Sequence, residues 1–346
     1  MKSNGISRRN FLKKSTITAG MAAVAPIGFA TASGAADQSD KKSNREVWIA
    51  CISQMGLVAE TPEQMAQQVY EIMNEVVTYK PDFVVLPEYF PYVPGNMTIE
   101  QKVIVSDKNL IEMSKFSKQH NCYTLSAAYV HENGENYNSI VVFDRSGKRI
   151  GQYHKIHATI GEIKNRGISP GPLFQPVIET EYGPIGIQIC YDINFDDGWQ
   201  MMRKQGAKII FWSSAFDGGK MVNTKAWQHK CFVASATLKN TSRLCDISGE
   251  TIAQTGIWNP NYFVAPINME KVFFTTYMYL DHFKKIEDKY GRKVRFTTYH
   301  EEEWTIMESL SHDVSVSDIM KEFDMLSHED SHNQARIFQD SVRRKA

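Results

Sequence analysis

Three residues of this 346-residue chain have types and positions suited to acyl transfer: Glu88, Lys155 and Cys190. Glu88 follows the apolar run Phe83-Val84-Val85-Leu86-Pro87. Lys155 stands at the end of a strand pattern in Tyr153-His154-Lys155-Ile156-His157, and Cys190 ends Gly183-Pro184-Ile185-Gly186-Ile187-Gln188-Ile189. A carboxylate can serve as general base, a thiol as nucleophile, and a buried cation as the stabiliser of an oxyanion. Open α/β sheets carry their sites at the carboxyl ends of strands, which is where each of the three falls. A thiol at a sharp strand-to-helix elbow would also aim the following backbone N–H groups at a substrate oxygen. Singly, each has a plainer reading: a turn acid, a solvated surface lysine and an inert core thiol.

The elements that must position these residues alternate along the chain. Val47–Ile52 reads as a buried strand, and Thr61-Pro62-Glu63 as an N-cap with proline at N1. The helix this opens covers Met65–Tyr79, with Ala66, Val69, Ile72, Met73 and Val76 at helical spacing. A strand over Phe83–Leu86 follows, then a helix over Leu110–Gln119. Strands over Cys122–Tyr129 and Asn138–Phe143 are joined by the polar turn Glu132-Asn133-Gly134-Glu135, and Asp144–Lys148 turns into a strand over Arg149–Tyr153. Ile185–Cys190, a helix near Gly198–Gln205 and a strand over Lys208–Trp212 come next. Trp227–Ala236 and Ser242–Asp246 continue the alternation. This pattern predicts α/β layers. Beyond about residue 280 the chain is highly charged over 281–303. It then reads as amphipathic helix over 313–346, a helical C-terminal extension rather than a second full domain.

Together, Leu86-Pro87-Glu88, Tyr153-His154-Lys155-Ile156-His157 and Gly186-Ile187-Gln188-Ile189-Cys190-Tyr191-Asp192 closely resemble the three signatures of the carbon–nitrogen hydrolase (nitrilase) superfamily, in that family's order. Ser169-Pro170-Gly171 and the run Gly206–Ala215 agree with it, and the resemblance covers about residues 46–280. It implies a four-layer αββα sandwich and a Glu–Lys–Cys triad. Glu88 would take the Cys190 proton, and Lys155 with the Tyr191 N–H would hold the developing negative charge. The resemblance also implies a second glutamate after the lysine, and Glu162 is the best match. No metal and no cofactor is implied, and the substrate would be a small amide or nitrile. Relatives' C-terminal tails often wrap a neighbouring subunit, so the resemblance implies a homo-oligomer. Asp196 stands where many members have proline, which should alter the start of the next helix. Tyr191-Asp192 directly after the cysteine, rather than Trp-Glu, favours amides over nitriles. The aromatics Tyr89, Phe90, Tyr92, Tyr191, Phe195 and Trp212 could line an apolar pocket around the site or belong to the core; Tyr89, Tyr191, Phe195 and Trp212 are the candidates for substrate contact.

The first 36 residues carry Lys2, Arg8, Arg9, Lys13 and Lys14 and no acid, followed by an apolar stretch rich in Ala, Gly and Thr and by small-residue cleavage sites. This layout resembles a twin-arginine export signal and implies passage through that machinery to the periplasm or another extracytoplasmic compartment. Pro26, Gly20 and Gly28 argue against a stable membrane span. The whole chain has 39 basic and 39 acidic side chains. Without its first 36 residues it has 34 basic against 39 acidic, a net of −5. A role in bulk nucleic-acid binding therefore lacks an electrostatic basis. The five cysteines are widely spaced and odd in number, so at least one is free unless paired between chains. One rival chemistry remains. His328-Glu329-Asp330-Ser331-His332 satisfies the His-Glu-x-x-His zinc-hydrolase spacing, but it lies near the chain end between polar flanks.

Overall fold

The computed structural model describes residues 45–343, apart from Pro94 and Asn96. Residues 1–36, read as an export signal, lie outside the described residues. Two six-stranded sheets face one another, with helices on their outer sides. The first has the order β12-β1-β2-β3-β4-β5, formed by Tyr262–Asn268, Glu46–Ile52, Phe83–Val85, Tyr123–Glu132, Glu135–Phe143 and Arg149–His154. The second has the order β11-β10-β9-β8-β7-β6, formed by Thr251–Gln254, Arg243–Cys245, Phe232–Thr237, Ile209–Ser214, Gly183–Ile189 and Ile178–Thr180. In each sheet three neighbouring strands run parallel, β1-β2-β3 and β7-β8-β9, flanked by antiparallel partners. The parallel strands are buried along nearly their whole length, which explains their near-continuous apolar runs. Phe83 of β2 meets Phe211 of β8 at 5.1 Å between the sheets, and the Ser213 hydroxyl donates to the Leu86 carbonyl across the same gap at 2.8 Å. This is the αββα sandwich.

Local signals account for most boundaries. Thr61 caps helix α1 (Pro62–Val76) by accepting from the Gln64 N–H, with Pro62 at the start, and the face Met65, Ala66, Val69, Ile72, Met73 and Val76 is buried. Asn133 and Gly134 both take positive φ, 53° and 82°, as a two-residue hairpin with the right-handed strand twist requires. Helix α2 (Ile99–His120) begins eleven residues before the expected Leu110. Thr98 and Gln101 form a reciprocal capping box there, and the buried face is Ser106, Asn109, Met113 and Ser117. That face is mostly polar, so hydrophobic periodicity does not reveal it. The Trp227–Ala236 segment also divides differently. Trp227 lies in helix α5 (Lys220–His229), which follows α3 (Ile160–Arg166) and α4 (Asp197–Lys204), and the strand starts only at Phe232.

The C-terminal segment is helical, but two strands are built into it. Lys271–Thr275 (β13), Val294–Tyr299 (β14) and Trp304–Ser309 (β15) form a third, antiparallel sheet in the order β13-β15-β14. Helices α6 (Leu280–Tyr290), α7 (Val316–Glu322) and α8 (His328–Arg343) accompany it. Its small core holds Phe274, Tyr279, Ile286, Met307, Val316 and Ile319. Among the described residues no helix is long and apolar enough to cross a membrane.

Candidate active site

Glu88, Lys155, Glu162 and Cys190 come together at the carboxyl ends of β2, β5 and β7. The Lys155 Nζ donates to Glu88 Oε1 at 2.9 Å and to both Glu162 oxygens at 3.0 and 2.9 Å. Lys155 and Glu88 are 1% and 0% exposed and Glu162 is 2% exposed. Two carboxylates thus share one ammonium in a dry setting, where pairing is required to offset desolvation. Burial disfavours the Lys155 charge, but Glu88, Cys190 and Glu162 outweigh it and raise the pKa. Burial likewise pushes Glu162 up, but Lys155, the Thr159 N–H and Asn138 bring its pKa down to about 2.

Each member is held by backbone. Glu162 is the third residue of α3, where its side chain accepts from the Thr159 N–H at 2.8 Å while its own N–H donates to the Thr159 hydroxyl at 3.2 Å. Its catalytic candidacy and its helix-capping geometry are the same arrangement. Lys155 is pinned at both main-chain groups: its N–H donates to the Asn138 carbonyl at 2.8 Å and its carbonyl accepts from Gly171 at 2.7 Å. A Cβ on Gly171 would stand 2.6 Å from the His154 carbonyl oxygen, so Ser169-Pro170-Gly171 owes its glycine to this close approach. Glu88 Oε2 accepts from the Ala215 N–H at 2.9 Å, at the end of β8.

Cys190 follows the last residue of β7 with φ of 45°, a left-handed conformation rare for a side chain other than glycine, asparagine or aspartate. The elbow is held by its neighbours. The Trp212 indole N–H donates to the Cys190 carbonyl at 3.1 Å. The fully buried Asp192 carboxylate accepts from the Ile189 N–H at 2.9 Å, the His157 N–H at 2.8 Å and the Tyr153 hydroxyl at 2.9 Å. Burial first, and the Glu88 charge second, push the pKa of the Cys190 thiol up to about 12 against the opposing pull of Lys155. At neutral pH the thiol keeps its proton, and the Glu88 carboxylate whose charge it feels is the group able to take it.

The aromatic candidates separate. The Tyr89 hydroxyl donates to Glu162 Oε1 at 3.0 Å, and Tyr191 and Phe195 are partly exposed beside the elbow, with Phe195 stacked on the His157 ring at 3.8 Å. Trp212 has no exposed surface, and its indole N–H holds the Cys190 carbonyl. Asn138 was not singled out from sequence, yet its Nδ2 donates to Glu88 Oε1 at 2.9 Å and to Glu162 Oε1 at 3.0 Å. Tyr129 also went unnoticed. It lies directly opposite Asn138 in the β3–β4 register, and its ring stacks on Tyr89 at 6.2 Å. A polar side chain inside an apolar strand, facing the site, was the one available signal. Asp196 heads α4 without capping it; its carboxylate instead accepts from Lys225 at 3.0 Å and contacts His229 at 2.8 Å.

The five cysteines are all free thiols. His328 and His332 do share one face of α8, with their rings stacked at 4.1 Å, but His328 packs on Trp304 at 3.9 Å and Glu329 reaches Arg203 at 3.1 Å. Among the described residues no group of three or more His, Cys, Asp or Glu is placed to hold a metal ion.

The carbon-nitrogen hydrolase family model matches residues 49–277, and the chain belongs to that family. Its solved neighbours share the fold. A carbon-nitrogen hydrolase from Helicobacter pylori superposes with a TM-score of 0.59 at 15% identity, over 72% of this chain and 94% of that one. A variant of the amidase from Nesterenkonia sp., carrying an acetamide moiety covalently bound at its active-site cysteine, superposes with a TM-score of 0.57 at 15% identity, over 68% and 94%. In sequence, a deaminated glutathione amidase of Synechocystis is 23% identical over 48% of this chain and 69% of its own length. An omega-amidase of Xenopus tropicalis is 30% identical over 38% and 46%. Of the Drosophila melanogaster nitrilase and fragile histidine triad fusion protein, 26% identical over 53% of this chain, the match spans 44%. The chain therefore spans less than half the length of some curated relatives it matches.

Proposed function

We propose that the protein is an amidase that forms a thioester on Cys190. Glu88 removes the thiol proton as sulfur attacks the amide carbon, and the carbonyl becomes an oxyanion beside Lys155 and the Tyr191 N–H. The C–N bond breaks, Glu88 returns the proton to the nitrogen, and ammonia or an amine departs. Water then attacks the thioester, giving its proton to Glu88. The carboxylic acid leaves, and the proton passes back to the Cys190 sulfur. Glu162, Asn138 and Tyr89 position Lys155 and Glu88 through these steps. The observation that carries the reading is the buried Glu88–Lys155–Glu162 cluster at the strand ends beside the Cys190 elbow, with Glu88 near enough to raise the thiol's proton affinity. The amidase relatives support amides over nitriles.

Ammonia release from a panel of small amides and nitriles, with native protein and Cys190→Ala in parallel and intact-mass detection of an adduct, tests it. Ammonia from amides, with an acyl adduct on the native protein alone, is expected. Ammonia from nitriles alone would make it a nitrilase instead. Turnover retained by Cys190→Ala would overturn the thiol mechanism.

The reading includes export and self-association. Arg8-Arg9 and the apolar stretch after them support the twin-arginine route. Ile337 and Phe338 are 71% and 70% exposed on the last helix and support assembly with another copy. Fractionation of expressing cells and light scattering of the purified protein test these two points.

A further inference from the structure

We infer that Lys225, together with Asp196, positions the Cys190 nucleophile by clamping the far end of its turn, so that helix α5 sets the catalytic geometry from outside the reacting cluster; this rests on the reading of Cys190 as nucleophile above. Cys190 opens a tight turn that runs to Asn194, and its φ of 45° has to be imposed by the surroundings. Side-chain donors hold the carbonyls of that turn. Trp212 donates to the Cys190 carbonyl at 3.1 Å, the Asn194 amide to that of Tyr191 at 3.1 Å, and the Trp199 indole to that of Asp192 at 3.3 Å. At Phe195, where the turn ends, the carbonyl accepts from the Lys225 ammonium at 3.0 Å.

The same ammonium donates to Asp196 Oδ1 at 3.0 Å. Lys225, Gln228 and His229 lie at i, i+3 and i+4 of α5, on one helix face. All three reach that one oxygen, Gln228 at 3.1 Å and His229 at 2.8 Å. Gln200 of α4 holds the other oxygen at 2.5 Å. Asp196 caps nothing in α4, so its carboxylate serves the contact between the two helices. Burial pushes the Asp196 carboxyl up, but the Gln200 and Lys225 donors outweigh it and keep the group below its ordinary value. Lys225 is 8% exposed and its ammonium lies 5.6 Å from the centre of the Trp199 ring, so little water competes for it.

Phe195 carries this hold back towards the reacting groups. Its N–H donates to the Asp192 carbonyl at 3.1 Å, its ring stacks on His157, and the His157 main-chain N–H donates to the Asp192 carboxylate. The turn is therefore fixed at both ends, by β7 before Cys190 and by Lys225 after Asn194. The thiol and the Tyr191 N–H sit between those two points. Lys225 bonds the turn rather than the reacting cluster, which makes it a positioning residue.

The test compares native protein with Lys225→Met, Lys225→Arg and Asp196→Asn, with Lys225→Gln in place of the Met variant should that one not fold. Three quantities are read: kcat and KM on acetamide and butyramide, alkylation of Cys190 by iodoacetamide at pH 8, and urea unfolding. Lys271→Met is the control, because it breaks a different enclosed ion pair, with Asp246 at 2.8 Å. Lys225→Met should lower kcat roughly tenfold to a hundredfold and move KM by less than about threefold, since a displaced nucleophile costs rate rather than binding. Lys225→Arg should recover most of that loss, and Asp196→Asn should fall between native protein and Lys225→Met. The loosened turn should also let iodoacetamide reach Cys190 at least about threefold faster in Lys225→Met, as a single adduct by intact mass. A merely structural role would lower kcat equally in Lys225→Met and Lys271→Met at equal loss of stability, and would leave alkylation of the folded protein unchanged; either result would overturn the inference and leave the amidase reading standing. If native protein hydrolyses no amide and carries no acyl adduct, the amidase reading falls, and alkylation alone decides the clamp: faster single alkylation in Lys225→Met upholds it and an unchanged rate overturns it.

Discussion

Glu162→Gln isolates one charge of the catalytic cluster while keeping its shape. In the native protein the Glu162 carboxyl falls from its ordinary 4.5 to about 2. At about 1.36 kcal/mol per pH unit, that difference corresponds to about 3 kcal/mol of folding stability. Because Glu162 is 2% exposed, solvent screening removes little of it. The sign follows from the direction: a depressed carboxyl stabilises the fold above about pH 4.5, and the contribution fades as pH falls towards 2. At pH 3 about 1 kcal/mol of it remains. Glutamine can still accept from Lys155, Asn138 and Tyr89 through its one oxygen, but its NH2 then faces the Thr159 N–H and the Lys155 ammonium. The substitution therefore removes the charge and one acceptor, and the lost acceptor adds a part of the stability loss that does not vary with pH. Urea unfolding followed by tryptophan fluorescence reads the effect. With a slope of about 3 kcal/mol per molar for a chain of this size, the Gln variant should unfold about 1 M earlier at pH 7. The charge-dependent part of that gap should shrink to about a third at pH 3. A gap under about 0.3 M at pH 7, or one equally large at both pH values, would refute the pairing argument.

Three more outcomes follow from the geometry. Alkylation of the Cys190 thiol should rise about tenfold per pH unit with no plateau below about pH 11. Glu88→Gln removes an anion beside the sulfur, so alkylation at pH 8 should speed up while amide hydrolysis collapses; a native plateau near pH 8 would show that burial does not govern the thiol. Gly171→Ala drives a Cβ against the His154 carbonyl and displaces the strand end that carries Lys155. It should cost about 1–3 kcal/mol in unfolding and lower kcat, and unchanged kcat would mean that the Lys155 main chain is held elsewhere. Trp212→Phe strips the donor from the buried Cys190 carbonyl, with about 1–3 kcal/mol lost and slower adduct formation by intact mass; a native-like rate would show that the indole does not hold the elbow.

Glu88 and Cys190 were legible because each follows an apolar strand, whereas Lys155 follows the mixed strand Arg149–His154 and was legible only from its strand-end position and the family signature around it. Alternation alone indicated α/β layers. What escaped notice did so for related physical reasons. The first half of α2 buries Ser106 and Asn109, which contact tyrosines, so its inner face does not look like a core face. Strand β15 contains the buried Glu308, matched by Arg295 at 3.0 Å from the neighbouring strand and Lys271 at 3.6 Å from the other. Read in isolation, a charged residue among Trp304–Ser309 suggests a loop; its counter-ions become visible only when the sheet is assembled.

Asn138, Asp192 and Tyr129 belong to the same class as Glu308. Each is a polar or amphipathic side chain enclosed by strands and their ends, and patterning rules count it against the element it occupies. Yet enclosure is what gives these groups their effect. Asn138 can bridge two carboxylates only because one is fixed past the end of β2 and the other in the first turn of α3, both within reach of β4. Asp192 can hold the Cys190 elbow only because it is fully buried, where its main-chain donors have no competing water. A sequence reveals reactive groups by the apolar strands that deliver them. It hides a supporting group such as Asn138 because its partners lie 24 and 50 residues away and meet it only when the sheet and α3 are assembled. The supporting groups are therefore the more informative targets for mutation. Substituting a reactive residue tests the chemistry, whereas substituting Asn138 or Asp192 tests whether this fold places that chemistry as described.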